Sequence, residues 1–343
     1  MQPPPLVSII IVNCNGRGFL QGCLESIFNQ SCSDFEIIFI DNGSTDDSVQ
    51  YVKEKFPDVI IIENRENLGF ARANNQGIAI AKGKYIALLN NDTVVDREWI
   101  KSLLAKAESF SEKVGMWAGK ILSMQEPGKI DSVGGLMISP DGIAKGRGRL
   151  EEDVGQYDND DEVFIPSACA ALFKKEMLDE IGLFDEDFFA YCEDTDIGLR
   201  ARLAGWRTVS VPKAVVYHYY SGTTGKYTSM KAYLVERNHV WLAVKNFPLS
   251  RLLFFPFYTI WRDMFQVYGI LLKRGAGGRF VEDFSGERLF IILVKAFWSA
   301  LGGIPMMARK RHSVQAKRAV SKKEISDWFK RYGLSMKELV LKD

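Results

Sequence analysis

Four short stretches of the chain carry side chains able to do polar chemistry at the edge of a sheet. Asp92 closes the run Leu88-Leu89-Asn90-Asn91-Asp92, an apolar segment of strand length that breaks into a polar loop. A hard divalent cation beside a diphosphate needs only one or two protein carboxylates, because phosphate oxygens and water complete its shell, and Asp92 is placed to be one. His218 ends another apolar run and is one of three histidines in the chain; a neutral imidazole is a sound further ligand. Asp41 follows Phe39-Ile40 directly, where an acid accepts hydrogen bonds from ribose hydroxyls or from the imide N–H of uracil or thymine. Glu193 and Asp194 follow the aromatic approach Phe188-Phe189-Ala190-Tyr191, a wall that partly desolvates them and tunes one as a general base. Each feature also has an ordinary reading. Asn and Asp form turns, a lone histidine at a strand end is often structural, and acids in the first turn of a helix complement its dipole, with Asp196 spaced to pair with Arg200.

The elements that must position these groups are legible from periodicity. Residues 7–12, 36–40 and 59–62 are apolar, β-branched runs, and 84–89 is a fourth strand. Between them, 18–29 carries Leu20, Leu24, Ile27 and Phe28 on one helical face, and 47–56 and 70–81 have the same period. Strand and helix alternating in this way predict right-handed βαβ units and a parallel, doubly wound sheet, whose carboxyl edge is where ligands sit. The loop after the first strand is Asn13-Cys14-Asn15-Gly16 rather than a G-x-G-x-x-G, which argues against a dinucleotide cofactor and against the basic phosphate loop of a nucleotidyltransferase. No G-x-x-x-x-G-K-S/T occurs, so a P-loop phosphotransferase is a poor fit.

With 343 residues and 47% hydrophobic content, the chain suits one large core or a domain with an appendage rather than a disordered state. A formal charge of +1 gives no reason to expect nucleic acid as a partner. The five cysteines, Cys14, Cys23, Cys32, Cys169 and Cys192, are odd in number without a C-x-x-C pair, which favours a reducing compartment over a disulfide framework or a zinc ribbon. The opening Met1-Gln2-Pro3-Pro4-Pro5 lacks the basic and apolar segments of a signal peptide, so a cytoplasmic location is expected.

Taken in order, Val7 to Asn15, Asp41-Asn42-Gly43-Ser44-Thr45-Asp46, Asn67-Leu68-Gly69-Phe70-Ala71-Arg72-Ala73-Asn74-Asn75 and Leu88 to Asp92 resemble the family-2 glycosyltransferases of GT-A fold. The series is specific, although each piece alone is weak. The resemblance implies a Rossmann-like, mostly parallel sheet flanked by helices, and a nucleoside-diphosphate sugar donor contacted by Asn13, Asp41, Asn67, Arg72 and Asn91. It also implies Mg²⁺ or Mn²⁺ at Asp92, the last acid of the family's D-x-D motif, with His218 as second ligand; Asn90 stands where the first acid of that motif is common. Asp194, within an acidic motif preceded by Gly182-Leu183-Phe184-Asp185-Glu186, becomes the catalytic base, and Glu193 orients the base or the acceptor. The chain looks most like bacterial rhamnosyltransferases of this family, which implies dTDP-rhamnose, or a UDP-sugar, as donor and inversion at the anomeric carbon. The rival reading, favoured by Asn90, is a non-catalytic glycan- or membrane-binding protein that keeps the fold.

Residues 1–240 are thus expected to form the catalytic domain, with a nucleotide-sugar half over about 1–125 and an acceptor half over about 126–240. Residues 126–162, rich in Gly, Asp and Lys, read as a mobile insertion above the active face whose arginines are solvated surface charge, with contact to phosphate the alternative, and 206–211 and 214–217 read as two strands. Residues 241–343 form an apolar and basic helical region. Its runs 252–272 and 289–307 are interrupted by Pro256, Arg262 and Asp263 and by Lys295 and Pro305, and neither meets the roughly 20-residue requirement of a clean membrane span. Helices lying in the plane of the interface fit better. Arg309-Lys310-Arg311, Lys317-Arg318 and Lys322-Lys323 suit an anionic inner membrane face, and a lipid-linked oligosaccharide is the matching acceptor. The alternative is a helical bundle packed on the catalytic domain or on a second copy as a homodimer.

Overall fold

The structure, a computed structural model, describes residues 3–110, 113–159, 161–220, 222, 225, 228–283 and 285–342. The chain divides into two compact units: Met1–Leu136 with Gly146–Ala201 and Trp206–Thr224, and Met137–Lys145 with Arg202–Gly205 and Gly225–Asp343. Residue 240, where the composition shifts, lies within the helix Ser229–Asn246.

The first unit is built on the expected alternation: β1 (Val7–Asn13), α1 (Arg17–Phe28), β2 (Phe35–Asn42), α2 (Ser48–Lys55), β3 (Ile60–Asn64), α3 (Phe70–Ile80) and β4 (Tyr85–Asn90). After β5 (Thr93–Val95) and α4 (Trp99–Glu108) come β6 (Val114–Ser123), β7 (Ile130–Val133), β8 (Glu162–Val163), β9 (Ala170–Lys174), α5 (Lys175–Ile181), α6 (Glu193–Leu203) and β10 (Arg207–His218). Among the described residues these ten strands form one sheet in the order β8-β10-β6-β9-β4-β1-β2-β3, with β5 on β10 and β7 on β6, and Leu136–Ile138 pairs with Ala144–Gly146 in a separate two-stranded sheet. The block β4-β1-β2-β3 is parallel throughout, as is β6 with β10. Ile9, Ile10 and Ile11 of β1 are all buried, so both faces of the central strand are covered, and this is why these strands read as continuous apolar runs rather than alternating ones.

Two features of register decide where the chemistry lies. Asn13 stands beside Asp41, and Asp41 beside Glu63, so the first three strands end within one rung of one another. β9 enters the sheet antiparallel between β4 and β6, pairing Ala170 with Leu89, so the residues just before its start lie at the edge where β4 ends. The two strands expected over 206–217 are one strand, β10. Its pairing with β6 slips between Ser210 and Val215, where Pro212 removes a ladder donor and the extra residues are absorbed as a bulge opposite Gly119.

In the second unit, α7 (Ser229–Asn246), α8 (Leu249–Leu271), α9 (Gly275–Asp283), α10 (Gly286–Ala316), α11 (Lys322–Arg331) and α12 (Met336–Leu341) bear out a helical carboxyl-terminal region. α7 lies along α10, where Trp241 donates to the Ala300 carbonyl at 3.0 Å and Tyr233 to Ser299 at 2.8 Å. Arg262 of α8 is buried and paired with Glu236 at 2.6 Å and Asp141 at 3.3 Å. That explains a charge in an otherwise apolar run, since a buried guanidinium requires partners. The opposite side of α8 is bare: Leu253, Phe257, Met264 and Leu271, at helical spacing, are 67–76% exposed. Neither apolar run was expected to make a clean membrane span because charges and prolines interrupt both, and in α10 these do not end the helix. The helix continues through Lys295 and Pro305, and by length and composition alone Gly286–Ala316 could cross a membrane.

Candidate functional site

At the ends of β1, β2 and β4 a chain of amide and carboxylate groups is locked together. The Asn13 amide donates to Asp41 at 3.3 Å and to Ser44 at 3.1 Å, and its oxygen accepts from Asn91 at 2.6 Å. Asp41 also accepts from the Ser44 backbone at 2.9 Å. Asn13 is therefore a strut between the second-strand acid and the loop that carries Asp92. A carboxylate has about four lone-pair sites, so Asp41 keeps capacity for a further donor. Asn67 works similarly one strand over, accepting from Asn42 and from the Gly69 N–H, both at 2.9 Å. Arg72 is not drawn into this cluster. It lies on the outer side of α3, half exposed, 3.7 Å from Glu186.

Asp92 and His218 are brought together by the pairing of β5 with β10, which sets Thr93 opposite His218. Asp92 Oδ1 lies 3.4 Å from His218 Nε2, its Oδ2 accepts from the Gly222 N–H at 3.0 Å, and its carbonyl accepts from the Tyr219 N–H at 2.8 Å. On the other side of the ring, His218 Nδ1 meets Asp131 Oδ2 at 2.7 Å. Arg149 pairs with the second oxygen of Asp131 and lies 4.0 Å from the centre of the Tyr220 ring. Burial opposes a charge on His218. Cys169 and the hydrogen bonds to Asp131 and Asp92 outweigh it and hold the imidazole well above its ordinary pKa. Of these, the carboxylates act at neutral pH, because burial raises the Cys169 thiol and leaves it uncharged.

The donor set fits a hard cation. Octahedral ligands at about 2.1 Å from an ion stand about 3 Å from one another, close to the Asp92–His218 separation. Among the described residues no group of three or more His, Cys, Asp or Glu side chains could hold a metal alone. An ion here needs oxygens from its substrate, as a diphosphate would supply.

The acids of α6 reach the same edge. Asp194 Oδ2 accepts from the Ala168 N–H at 3.4 Å, and the next residue, Cys169, accepts at its carbonyl from the Asn90 N–H at 2.8 Å. Asp194 also accepts from the Thr195 N–H at 2.6 Å and its hydroxyl at 3.1 Å. Burial, then the neighbouring Asp194 charge, pushes Glu193 well above the usual carboxylate range, and Glu193 Oε2 is buried without a hydrogen-bond partner. Burial raises Asp194 too, but the N–H donors of Thr195 and Ala168 offset part of it. The pair therefore sorts into a proton-holding Glu193 and an Asp194 that ionises first.

The approach to these acids is strained. Phe189, Tyr191 and Cys192 all have φ near +65°, a region that costs non-glycine residues about 1–3 kcal/mol each. What holds them is the amino end of α3. The Ala71 N–H donates to the Phe189 carbonyl at 3.1 Å, and Gly69 is so close that a Cβ there would meet that oxygen at 2.6 Å.

Sequence reasoning missed Asp131 and took Arg149 for solvated charge. The only local signal was an acid two residues ahead of Val133-Gly134-Gly135. Arg149 is in fact mostly covered, and its partner becomes visible only when β7 is paired.

Residues 8–182 match the profile described as Glycosyl transferase family 2. An uncharacterized protein of Sinorhizobium fredii is 28% identical over 66% of this chain, which spans about a quarter, 26%, of that relative's length. An N-acetylglucosaminyl-diphospho-decaprenol L-rhamnosyltransferase of Mycobacterium tuberculosis is 23% identical over 69% of this chain and 86% of its own. A mannosyltransferase of Pyrobaculum calidifontis, solved with GDP-Man and Mn²⁺, superposes with a TM-score of 0.51 at 17% identity over 88% of each chain. At that identity the likeness concerns the fold alone, and it bears out the GT-A architecture.

Proposed function

The chain belongs to glycosyl transferase family 2, and on that premise we propose that it transfers a sugar, with inversion, from a nucleoside-diphosphate sugar to a hydroxyl of a lipid-linked glycan. The single observation that carries this reading is the joining of Asp194 through Ala168 and Cys169 to the end of β4, where Asp92 and His218 stand.

Asp41, held by Asn13 and Ser44, accepts from the nucleoside, and Asn91 fixes the loop below the diphosphate. Asn67 shapes the wall next to Asp41, and Arg72 reaches the donor only by leaving Glu186. Asp92 and His218 would hold Mg²⁺ or Mn²⁺, which when bound neutralises charge on the departing diphosphate. Asp194 takes the proton of the acceptor hydroxyl as its oxygen bonds to the anomeric carbon from the face opposite the breaking bond to the diphosphate. Protonated Glu193 donates a hydrogen bond that positions the acceptor or Asp194. Residues 1–240 then act as the catalytic domain, donor half first.

A rhamnosyl donor such as dTDP-rhamnose is the first choice, supported by the activity named for the mycobacterial relative; a UDP-sugar is the second. That relative's name also supports a lipid-linked acceptor. The bare apolar face of α8 and the exposed basic residues Lys273, Arg274, Lys295 and Arg309 suit an anionic membrane surface at the cytoplasmic side. Five free cysteines are consistent with that compartment.

The test is a thermal-shift screen of nucleotides and nucleotide sugars with and without Mn²⁺, followed by assay of donor hydrolysis. Ligand at a hundred times its Kd adds about 2.7 kcal/mol, so binding should raise Tm and need the ion. Slow, ion-dependent release of nucleoside diphosphate is expected. No release from UDP-, GDP- or dTDP-sugars, with glycan or vesicle binding intact, would establish the non-catalytic rival instead.

A further inference from the structure

Asp131 sits where an acid has little reason to be. It lies in a short strand, is buried, and is flanked by the buried side chains of Ile130, Ser132 and Val133. Carboxylates are disfavoured in strands and costly inside unless something is gained from them. β7 pairs with β6 through Ser132 opposite Ile121 and Ile130 opposite Leu122, with a register slip between these rungs. Asp131 is therefore the extra residue of a β-bulge, a device that re-aims a side chain and that recurs beside active sites. Here it turns the carboxylate towards His218.

We propose that Asp131 is a positioning residue for the cation site, holding Nδ1–H of His218 at 2.7 Å so that, when a cation displaces the proton from Nε2, that nitrogen presents its lone pair to the space shared with Asp92. Arg149, reaching in from the segment expected to be a mobile insertion, closes the other carboxylate oxygen and is braced on the Tyr220 ring. The rings of Tyr220 and His218 in turn meet at 83° with centroids 5.9 Å apart, so the imidazole is held at its nitrogen and abutted by a second ring. A metal-binding histidine whose far nitrogen is held by a carboxylate is a better and better-aimed ligand, and loss of such a partner weakens metal binding about 10- to 100-fold. This inference rests on the reading of Asp92 and His218 as cation ligands.

The experiment titrates Mn²⁺ into the full chain in the presence of UDP or dTDP and follows free Mn²⁺ by electron paramagnetic resonance. Asp131→Asn should weaken Mn²⁺ about 10- to 100-fold while leaving nucleotide binding without metal unchanged. Were Asp131 only the partner of Arg149, the variant would lose thermal stability but keep its Mn²⁺ affinity, and that result would overturn the proposal. A measurement free of any variant is the ¹⁵N spectrum of His218 in wild-type protein loaded with Mg²⁺ and UDP. A proton on Nδ1 is expected, and one on Nε2 refutes the role. Failure of the wild type itself to bind Mn²⁺ with any nucleotide removes the parent reading, and is distinguishable from a variant that binds as well as wild type.

Discussion

The backbone N–H of Ala168 donates to the carboxylate of Asp194 at 3.4 Å, one residue before the carbonyl that pairs β9 to Asn90. An acid far along the chain is thereby tied to the strand end that carries Asp92, and the tie follows from β9 being antiparallel. Because the two carboxylates share an edge but not a contact, their roles should separate. Asp194→Asn is expected to lower turnover about 10²- to 10⁴-fold with donor binding retained, and Asp92→Ala to abolish the Mn²⁺-dependent part of donor binding. Near-normal turnover in Asp194→Asn, measured with donor saturating, would show that the base lies elsewhere.

Glu193 gives a prediction with an unusual sign. Its folded-state pKa is raised by burial and by Asp194, so between the ordinary carboxylate value of about 4.3 and that raised value the folded protein holds a proton that the unfolded chain has lost. Stability contributed by this group therefore falls as pH rises through that window. Glu193→Gln, neutral at every pH, should raise Tm at pH 7 and lose its advantage below about pH 4, while slowing transfer. A variant no more stable than wild type at pH 7 would mean that Glu193 is ionised in the folded state. Residues kept for chemistry at the expense of stability are a familiar pattern.

The strained approach to the acids depends on Gly69. Its φ of +87° and the nearness of the Phe189 carbonyl leave no room for a Cβ, so Gly69→Ala should cost more than the roughly 1 kcal/mol of an ordinary glycine replacement at positive φ. The displaced loop begins at Phe189, only four residues ahead of Glu193, so the loss should extend to kcat as well as to Tm. Unchanged kcat in a destabilised Gly69→Ala would separate the loop's packing from its catalytic role.

What was legible in the sequence was what depends on local pattern. The apolar runs of β1, β2 and β4, the helical periods of α1 and α3, and acids placed just past strand ends all follow from neighbours in the chain. What depends on pairing between distant segments was not legible. Nothing in 170–174 states that β9 runs antiparallel, Pro212 looked like the gap between two strands when it marks a bulge in one, and Asp131 becomes unusual only once the slip in register against Ile121 and Leu122 is known. Arg149 looked solvated for the same reason, since its partner is made by that bulge. In α10, a lysine and a proline looked like interruptions, but neither ends a helix that has neighbours to pack on.

The last prediction concerns the face of α8 turned away from Arg262. Leu253, Phe257, Met264 and Leu271 lie along one stripe with Leu249, Ile260 and Val267, all largely exposed, while Arg262 on the other side is fixed to Glu236 and Asp141. The helix is thereby prevented from rolling, and the described residues leave the stripe largely exposed. Burying one such side chain in an apolar medium is worth about 1.5–3 kcal/mol, and each basic residue near an anionic surface about 1 kcal/mol more. Binding of the full chain to vesicles of phosphatidylcholine with phosphatidylglycerol should therefore be strong, fall with salt, and drop at least tenfold in Phe257→Asp with Val267→Asp. If the double variant binds vesicles as well as wild type but sediments as a monomer where wild type is a dimer, the stripe is a contact between two copies of the chain rather than a seat on lipid.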